Sequence, residues 1–262
     1  MKRILLLVLA TILLGITGLY FFQEKMIFHP TVLQQDYSFN FEQDFEELFL
    51  KADDGAVLNA LHFKLEHPRG IIVYYHGNAG DLSRWGTIVT PFLDYKYEVL
   101  IMDYRSYGKS TGIISEAALY SDAQLFYNEA KSLFPEDKIV VYGRSLGTAM
   151  ATYVASNNQP QQLILETPFY DFKELARQKM LNLPIAGLLK YEFPSYRFIK
   201  TVDCPVTVIH GTADRVVPYT SGLELYHAIP GKQRMLVKIK GGTHNDLIRY
   251  PAFHDAISDA LH

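Results

Sequence analysis

The chain has 262 residues, of which 48% are hydrophobic and 20% charged, and its formal net charge is −3. This length suits one large α/β domain, and the apolar content excludes a disordered chain. The small net charge and the lack of a basic run argue against nucleic-acid binding. The single cysteine, Cys204, excludes an intramolecular disulfide and a cysteine-cluster metal site. It stands before Pro205 at the start of a strand-like run, which favours a buried structural thiol and leaves the redox compartment open.

The N-terminal segment has the pattern of a membrane anchor. Lys2 and Arg3 precede an uncharged run over residues 4–22, which at about 1.5 Å per residue matches a hydrocarbon core of about 30 Å. The early basic residues predict a cytoplasmic N-terminus, with the rest of the chain on the exported, periplasmic or extracytoplasmic, side. A cleaved signal peptide and a buried helix are the alternatives. We therefore predict an anchor over residues 1–22, a connector over 23–43 and a folded domain over 44–262.

After the connector, strand and helix patterns alternate to the end of the chain. The first two strands flank Asp53-Asp54-Gly55, a hairpin signal. The predicted strands span residues 46–51, 57–63, 71–75, 98–103, 138–142, 163–165, 206–209 and 235–239, and the predicted helices span 82–93, 115–130, 145–155, 221–228 and 253–261. This alternation predicts an α/β fold with a mostly parallel eight-stranded sheet and helices on both faces. Ligands of such sheets bind beyond the carboxyl ends of the strands.

A pentapeptide between a predicted strand and a predicted helix carries the candidate nucleophile. Gly143-Arg144-Ser145-Leu146-Gly147 fits the pattern G-x-S-x-G and follows the strand that ends at Tyr142. A serine on such a tight turn has strained backbone angles, and the flanking glycines let neighbouring chains approach it closely. We therefore predict Ser145 as a nucleophile.

A serine hydroxyl needs an adjacent base, and His244 is the candidate. It lies in Gly241-Gly242-Thr243-His244-Asn245, directly after the last predicted strand. The base in turn needs a carboxylate that fixes its tautomer. Asp214 follows the strand over residues 206–209, and Glu166, at the end of the preceding strand, is its rival. Asp214 is favoured because its separation from His244 leaves room for one helix and one strand.

Acyl transfer develops an oxyanion, which backbone N–H donors stabilise. One predicted donor is the N–H of Leu146, immediately after the nucleophile. The loop His76-Gly77-Asn78-Ala79-Gly80 follows the strand over residues 71–75, and Asn78 is the second predicted donor. The same loop can cap the following helix through Asp81 or Ser83, and the two roles are compatible.

Five motifs together give the chain a family resemblance: HGNAG, DYRSYGKS, GRSLG, HGTADRVVP and GGTHND. With them it resembles the membrane-anchored α/β-hydrolases, a family that includes eukaryotic protein depalmitoylases and uncharacterised bacterial relatives. The resemblance covers nearly the whole chain and implies the α/β-hydrolase fold, with Ser145, Asp214 and His244 as the triad. It selects no substrate, because related sequences include peptidases and lipid esterases. The chain departs from the family at Ser106, where glycine is usual.

Residues 167–200 lie between two predicted strands, where this fold commonly carries a short lid. The segment is rich in apolar residues: Leu181, Leu183, Pro184, Ile185, Leu188, Leu189, Tyr191 and Phe193. Two interpretations are open, an acyl-binding cover over Ser145 and ordinary packing of helices against the sheet. A cover this short predicts a fairly open site.

These residues predict a serine hydrolase that cleaves carboxylic esters or thioesters of small or lipid-like acyl groups through an acyl-enzyme on Ser145. Peptidase-like amide cleavage is the alternative within enzymes, and a non-catalytic, membrane-tethered binding module is the alternative from another class. No cofactor motif is evident, and a metal site is not expected because neither His-x-His nor His-Glu-x-x-His occurs. The acyl chain, the leaving group and the oligomeric state are not determined by the sequence.

Overall fold

The computed structural model describes residues 2–179 and 188–261. Its helices and strands follow in this order: α1 (Lys2–Ile27), β1 (His29–Pro30), β2 (Phe45–Lys51), β3 (Val57–Phe63), β4 (Gly70–Tyr75), β5 (Ala79–Gly80), α2 (Leu82–Val89), β6 (Tyr97–Met102), α3 (Glu116–Leu133), β7 (Ile139–Arg144), α4 (Gly147–Asn157), β8 (Gln162–Glu166), α5 (Phe172–Lys179), α6 (Ser195–Phe198), β9 (Val206–Gly211), α7 (Tyr219–Ala228), β10 (Arg234–Ile239) and α8 (Pro251–Leu261).

An eight-stranded sheet forms the centre of the molecule, with the strand order β10-β9-β8-β7-β4-β6-β3-β2. β2 and β3 form an antiparallel hairpin, β3 is also antiparallel to β6, and the other neighbours are parallel. Gly55 in the hairpin turn has a φ of +87°, which glycine adopts without steric cost. The predicted fold, a mostly parallel α/β sheet that begins with a hairpin, is confirmed.

Both faces of this sheet are covered, which explains why β4 is apolar along its whole length. Ile71, Val73 and Tyr75 belong to the core that includes side chains of α3 and α4. Ile72 and Tyr74 belong to the opposite core, with side chains of α2 and α8. Successive strand residues thus point to opposite faces. The buried strands give the loops at their carboxyl ends a rigid support.

All five predicted helices differ from the observed ones at one or both ends, and two of these differences follow from the local backbone. The helix predicted over residues 145–155 begins at Gly147, because Ser145 has a φ of +52° and lies outside the helical region. The helix predicted over residues 82–93 ends at Val89 and continues as a 3₁₀ turn that contains Pro91. Proline lacks the N–H that a longer α-helix would use.

The N-terminal segment forms helix α1, which continues past the predicted anchor to Ile27. In the part of the chain that the structure describes, none of the helices has the length and apolar character needed to cross a bilayer. The predicted transmembrane helix is therefore not supported.

The segment predicted as a lid contains α5 and α6. Some of the apolar residues named for it lie outside the described residues: Leu181, Leu183, Pro184 and Ile185. Tyr191 and Phe193 are buried in the core, whereas Phe172 and Leu175 on α5 line a pocket beside Ser145. The described part of this segment therefore both packs on the sheet and borders the site.

Ser106, the departure from the family resemblance, has a φ of +65°. An L-residue adopts this left-handed conformation at a steric cost, which explains why glycine is usual there. The Ser106 hydroxyl donates to the carbonyl of Gly112 at 2.9 Å. The serine therefore occupies the same kind of turn as glycine would and adds a hydrogen bond to it.

Candidate active site

Ser145 lies on a tight turn between β7 and α4, at the carboxyl end of the central strands. Its N–H donates to the carbonyl of Glu166 at 2.9 Å, which fixes the turn against β8. A β-carbon at Gly147 would collide with the carbonyl of Tyr75, and one at Gly143 would lie 2.6 Å from the carbonyl of Gly147. Gly147 is therefore needed for this turn to pack against the end of β4, and Gly143 is needed for it to pack against the start of α4.

The structure brings together the three side chains predicted as a triad. The Oγ of Ser145 lies 2.9 Å from Nε2 of His244. Nδ1 of His244 lies 2.7 Å from Oδ2 of Asp214. Ser145 follows β7, Asp214 follows β9 and His244 follows β10. Because these strands are parallel, the sheet places all three residues at the same end.

Asp214 is held in one orientation by its own loop. Its Oδ1 accepts the N–H groups of Val216 and Val217 at 2.8 and 2.9 Å, and its Oδ2 faces His244. The Nε2 of His210 lies 3.4 Å from the same Oδ2. Burial opposes the charge on Asp214, but the hydrogen bonds from His210 and His244 outweigh it and hold the pKa of this carboxyl well below its ordinary value. Asp214 is therefore an ionised partner for the base.

Glu166, the rival to Asp214, has other partners. Its Oε1 lies 3.2 Å from Nε of Arg144, and its Oε2 accepts the hydroxyl of Tyr142 at 2.7 Å. Burial opposes the charge of Arg144, but Glu166 attracts it and raises the pKa of the guanidinium. Glu166 thus balances the charge of the arginine next to Ser145.

The two residues predicted as oxyanion donors both border the pocket that contains Ser145. The side chain of Asn78 donates to the carbonyl of Ile27 at 2.8 Å, which turns this amide towards α1, so we consider the main-chain N–H of Asn78 as the donor. Within the described residues, neither this N–H nor that of Leu146 has an intramolecular acceptor. Both amides are therefore free to bind an oxyanion.

The loop that carries Asn78 is supported from behind by a buried aromatic cluster. The hydroxyls of Tyr104 and Tyr107 donate to the carbonyls of His76 and Asn78, each at 2.7 Å. The Nε2 of His76 lies 3.3 Å from Oδ1 of Asp103. Burial raises the pKa of Asp103, an effect that His76 opposes. The loop backbone is thus fixed before any ligand binds.

The sequence patterns did not predict Arg84, Trp85 and Arg144 as residues of the site. Together with Ser145 and His244 they line a cavity of about 190 Å³. Arg144 directly precedes Ser145 in the pentapeptide, so the sequence could have indicated that it lies at the site. Arg84 and Trp85 lie on α2, where an amphipathic helix gives no sign that two of its residues face a site.

A serine, histidine and aspartate aligned beyond the carboxyl ends of a mostly parallel sheet define the α/β-hydrolase class. The family model described as serine aminopeptidase, S33, matches residues 66–202. The chain belongs to this α/β-hydrolase family.

Known proteins resemble the chain over much of its length. Protein bem46 of Schizosaccharomyces pombe is 30% identical over 275 residues, which cover 97% of this chain and 90% of that protein. The lysophosphatidylserine lipase ABHD12 of Danio rerio is 31% identical over 186 residues, 63% of this chain and 48% of the relative. Among solved structures, a Pyrococcus furiosus esterase gives a TM-score of 0.70 at 18% identity, covering 90% of this chain and 97% of its own. This last likeness supports the fold alone.

Proposed function

We propose that the protein hydrolyses carboxylic esters or thioesters through an acyl-enzyme on Ser145. The observation that carries this proposal is the pair of contacts made by His244, 2.9 Å to the Ser145 hydroxyl and 2.7 Å to the Asp214 carboxylate. A hydroxyl in contact with an oriented imidazole can lose its proton as it attacks a carbonyl.

The reaction has two halves. In the first, Ser145 Oγ attacks the carbonyl carbon, its proton passes to Nε2 of His244, and the N–H groups of Asn78 and Leu146 bind the oxyanion. The tetrahedral intermediate then collapses, and His244 gives its proton to the departing alcohol or thiol. In the second half, water attacks the acyl-enzyme with His244 again as base, and the carboxylic acid leaves. Asp214 stabilises the imidazolium in both halves.

An apolar pocket beside Ser145 supports an acyl group as the bound part of the substrate. Phe169, Phe172, Leu175 and Val217 line it. Burial of an acyl chain there removes its apolar surface from water, which contributes about 0.8 kcal/mol of binding free energy per methylene. One of the sequence relatives, from Danio rerio, is named as a lysophosphatidylserine lipase, which agrees with this substrate class.

The family description also raises aminopeptidase activity as a second candidate. Recognition of a free α-amino group calls for a carboxylate near the nucleophile. Among the described residues that line the two pockets at Ser145, there is no aspartate or glutamate, and two arginines are present. Ester or thioester cleavage therefore fits the site better than removal of an amino-terminal residue.

A fluorophosphonate probe tests the proposal directly. Labelling should occur in the wild-type protein and disappear in Ser145→Ala and His244→Ala, while Ser132→Ala, which changes an exposed serine of α3, keeps it. A folded wild-type protein that takes no label would contradict an activated serine and favour a binding module.

A series of p-nitrophenyl esters of rising chain length then tests the acyl pocket, and strict preference for acetate would exclude a lipid-like acyl group. Aminoacyl p-nitroanilides test the peptidase alternative in the same assay.

We also propose that α1 attaches the domain to a membrane and that the domain lies on the exported side. The support is the sequence of Lys2 and Arg3 followed by the uncharged run over residues 4–22. Carbonate extraction of membranes from cells that express the full chain, with protease added to spheroplasts, tests both statements. Release of the chain into the soluble fraction would exclude attachment, and protection from protease would exclude the exported side.

A further inference from the structure

Two pockets of different character meet at Ser145. The first is apolar and is lined by side chains of α5 and the β9 loop, including Phe172 and Val217. The second, of about 190 Å³, is lined by Arg84, Trp85 and Arg144. A substrate bound at Ser145 therefore has one part among hydrocarbon groups and the other beside two guanidinium groups.

The position of His244 decides which part of the substrate enters which pocket. His244 must deliver a proton to the departing oxygen or sulfur, so the leaving group lies on its side of the nucleophile. His244 and its neighbour Asn245 line the second pocket, and the described lining of the apolar pocket does not include them. The acyl group therefore occupies the apolar pocket, and the leaving group occupies the pocket with the arginines.

The two arginines differ in the charge they present. Arg144 is paired with Glu166 at 3.2 Å and both side chains are nearly buried, so most of its charge is balanced inside the protein. Arg84 is exposed on α2 and forms no ion pair with a carboxylate of the described residues. Its charge is therefore available to a ligand.

Trp85 holds the Arg84 guanidinium at the wall of the pocket. The guanidinium carbons of Arg84 and Arg144 each lie 5.4 Å from the centroid of the Trp85 ring, within range of a cation–π interaction. The indole N–H donates to the carbonyl of Ala79 at 2.8 Å, which fixes the ring. The planar guanidinium thus stays beside the pocket, and its N–H groups make no hydrogen bond to the rest of residues 2–179 and 188–261, an arrangement suited to a carboxylate or phosphate group.

We propose that Arg84 is a specificity-determining residue that binds an anionic substituent on the leaving group. The preferred substrates are then acyl esters of alcohols that carry a carboxylate or a phosphate. This inference rests on the proposed esterase function and adds the class of alcohol to it. Arg84 contacts the leaving group away from the reacting atoms, so its effect is selectivity between leaving groups.

A matched pair of chromogenic esters tests this selectivity. 4-Nitro-3-(octanoyloxy)benzoate and 2-nitrophenyl octanoate share an acyl chain and a nitrophenol, and only the first carries a carboxylate. The readout is the ratio of kcat/KM for the anionic ester to that for the neutral ester. It should fall about fivefold in Arg84→Gln, as expected for a partly exposed ion pair. The ratio should fall about 25-fold in Arg84→Glu, where repulsion of similar size replaces attraction. Arg84→Lys keeps the positive charge and should therefore keep part of the preference for the anionic ester.

Arg69→Gln is the control, because Arg69 is also exposed and also lies over an aromatic ring, 5.8 Å from the centroid of Tyr97. It precedes β4 and so lies at the amino end of this strand, whereas the site lies beyond the carboxyl ends, so this variant should keep the wild-type ratio. Rising salt should lower the ratio of the wild-type protein towards that of Arg84→Gln, because ions screen exposed charges. A ratio within twofold of the wild-type value in both Arg84→Gln and Arg84→Glu would exclude a carboxylate as the anion that Arg84 binds, and the phosphate pair below then decides the inference.

A second pair of substrates distinguishes the two anions. Release of oleate from 1-oleoylglycerol 3-phosphate is compared with release from 1-oleoylglycerol, again in the wild-type protein and Arg84→Gln. An Arg84-dependent preference in the phosphate pair alone, or in the carboxylate pair alone, assigns the anion, and a lack of preference in both overturns the inference. Failure of the proposed function is a separate result, because the wild-type protein would then hydrolyse none of the four esters and take no fluorophosphonate label.

Discussion

The carboxylate of Asp214 determines which nitrogen of His244 carries the proton. Its Oδ2 accepts from Nδ1 of His244, which leaves Nε2 without a hydrogen and able to accept the proton of Ser145. Its Oδ1 already accepts two backbone N–H groups, from Val216 and Val217. The orientation of Asp214 is thus set by its own loop and does not depend on the histidine.

This arrangement predicts the effect of Asp214→Asn. The amide oxygen would keep the two backbone N–H groups, so the NH₂ group would face His244 and force Nδ1 to become an acceptor. The proton would then sit on Nε2 and point at Ser145, so the base could not act. We expect kcat for a chromogenic ester to fall by about 10³ to 10⁴, with the far-UV spectrum unchanged. Asp203→Asn, before β9 instead of after it, is the control, and an Asp214→Asn enzyme with near wild-type kcat would remove Asp214 from the triad.

Individual site residues differ in how far the sequence could reveal them. Ser145 and His244 follow strands in a fixed chain order, so local patterns were enough to select them. Arg84 and Trp85 were missed because their relation to Ser145 depends on how α2 packs on the sheet. Local patterns carry no such long-range information, and a helix of mixed composition looks the same with or without a site beside it.

At the scale of elements, the connector is part of the wall of the site. The N–H groups of His29 and Thr31 donate to the carbonyls of Asn78 and Gly80 at 2.9 and 3.0 Å, so β1 and β5 form a small parallel sheet. The carbonyl of Ile27 receives the side chain of Asn78 at 2.8 Å. The residues around β1 therefore fix the loop that carries a proposed oxyanion donor.

Two truncations separate the connector from the anchor. Removal of residues 1–22 keeps Gln23, whose side chain bonds the backbone of Leu188 and Lys190 at 3.2 and 2.7 Å, and should leave kcat within about twofold of the full chain. Removal of residues 1–33 also takes β1 away, and we expect kcat to fall about 10²-fold, as for loss of one oxyanion donor. The assay uses the same chromogenic ester, with circular dichroism to verify folding. A folded protein without residues 1–33 that keeps the full kcat would show that β1 has no role in the site.

The main strands could be predicted because each is a run of buried apolar residues bounded by turns. β3 was placed at residues 57–63, as observed, and the other sheet strands differ by one or two residues at most of their ends. β1 and β5 have two residues each, too few to show a period, and they pair only because the connector returns to the β4 loop. α4 begins two residues later than predicted because Ser145 has a left-handed backbone, so the tight turn extends to Leu146 before the helix can begin.

At the scale of the whole molecule, the site depends on the central sheet. Its residues follow β4, β7, β9 and β10, which are joined in one continuous sheet through β8. The protein has one tryptophan, Trp85, and it is nearly buried in the pocket beside the nucleophile. Its fluorescence therefore reports on the site, whereas far-UV circular dichroism reports on all helices and strands.

This architecture predicts that the site and the sheet unfold together. In guanidinium chloride, esterase activity, Trp85 emission and the far-UV signal should have midpoints within about 0.2 M of one another, as for one cooperative unit. Ser145→Ala should show the same two spectroscopic transitions, since it removes a hydroxyl at the end of β7 and leaves the buried strands intact. Activity and Trp85 emission that disappear well below the far-UV midpoint would contradict the prediction. They would show that the loops around Ser145 open locally while the sheet persists, so that the strands alone do not hold the site together.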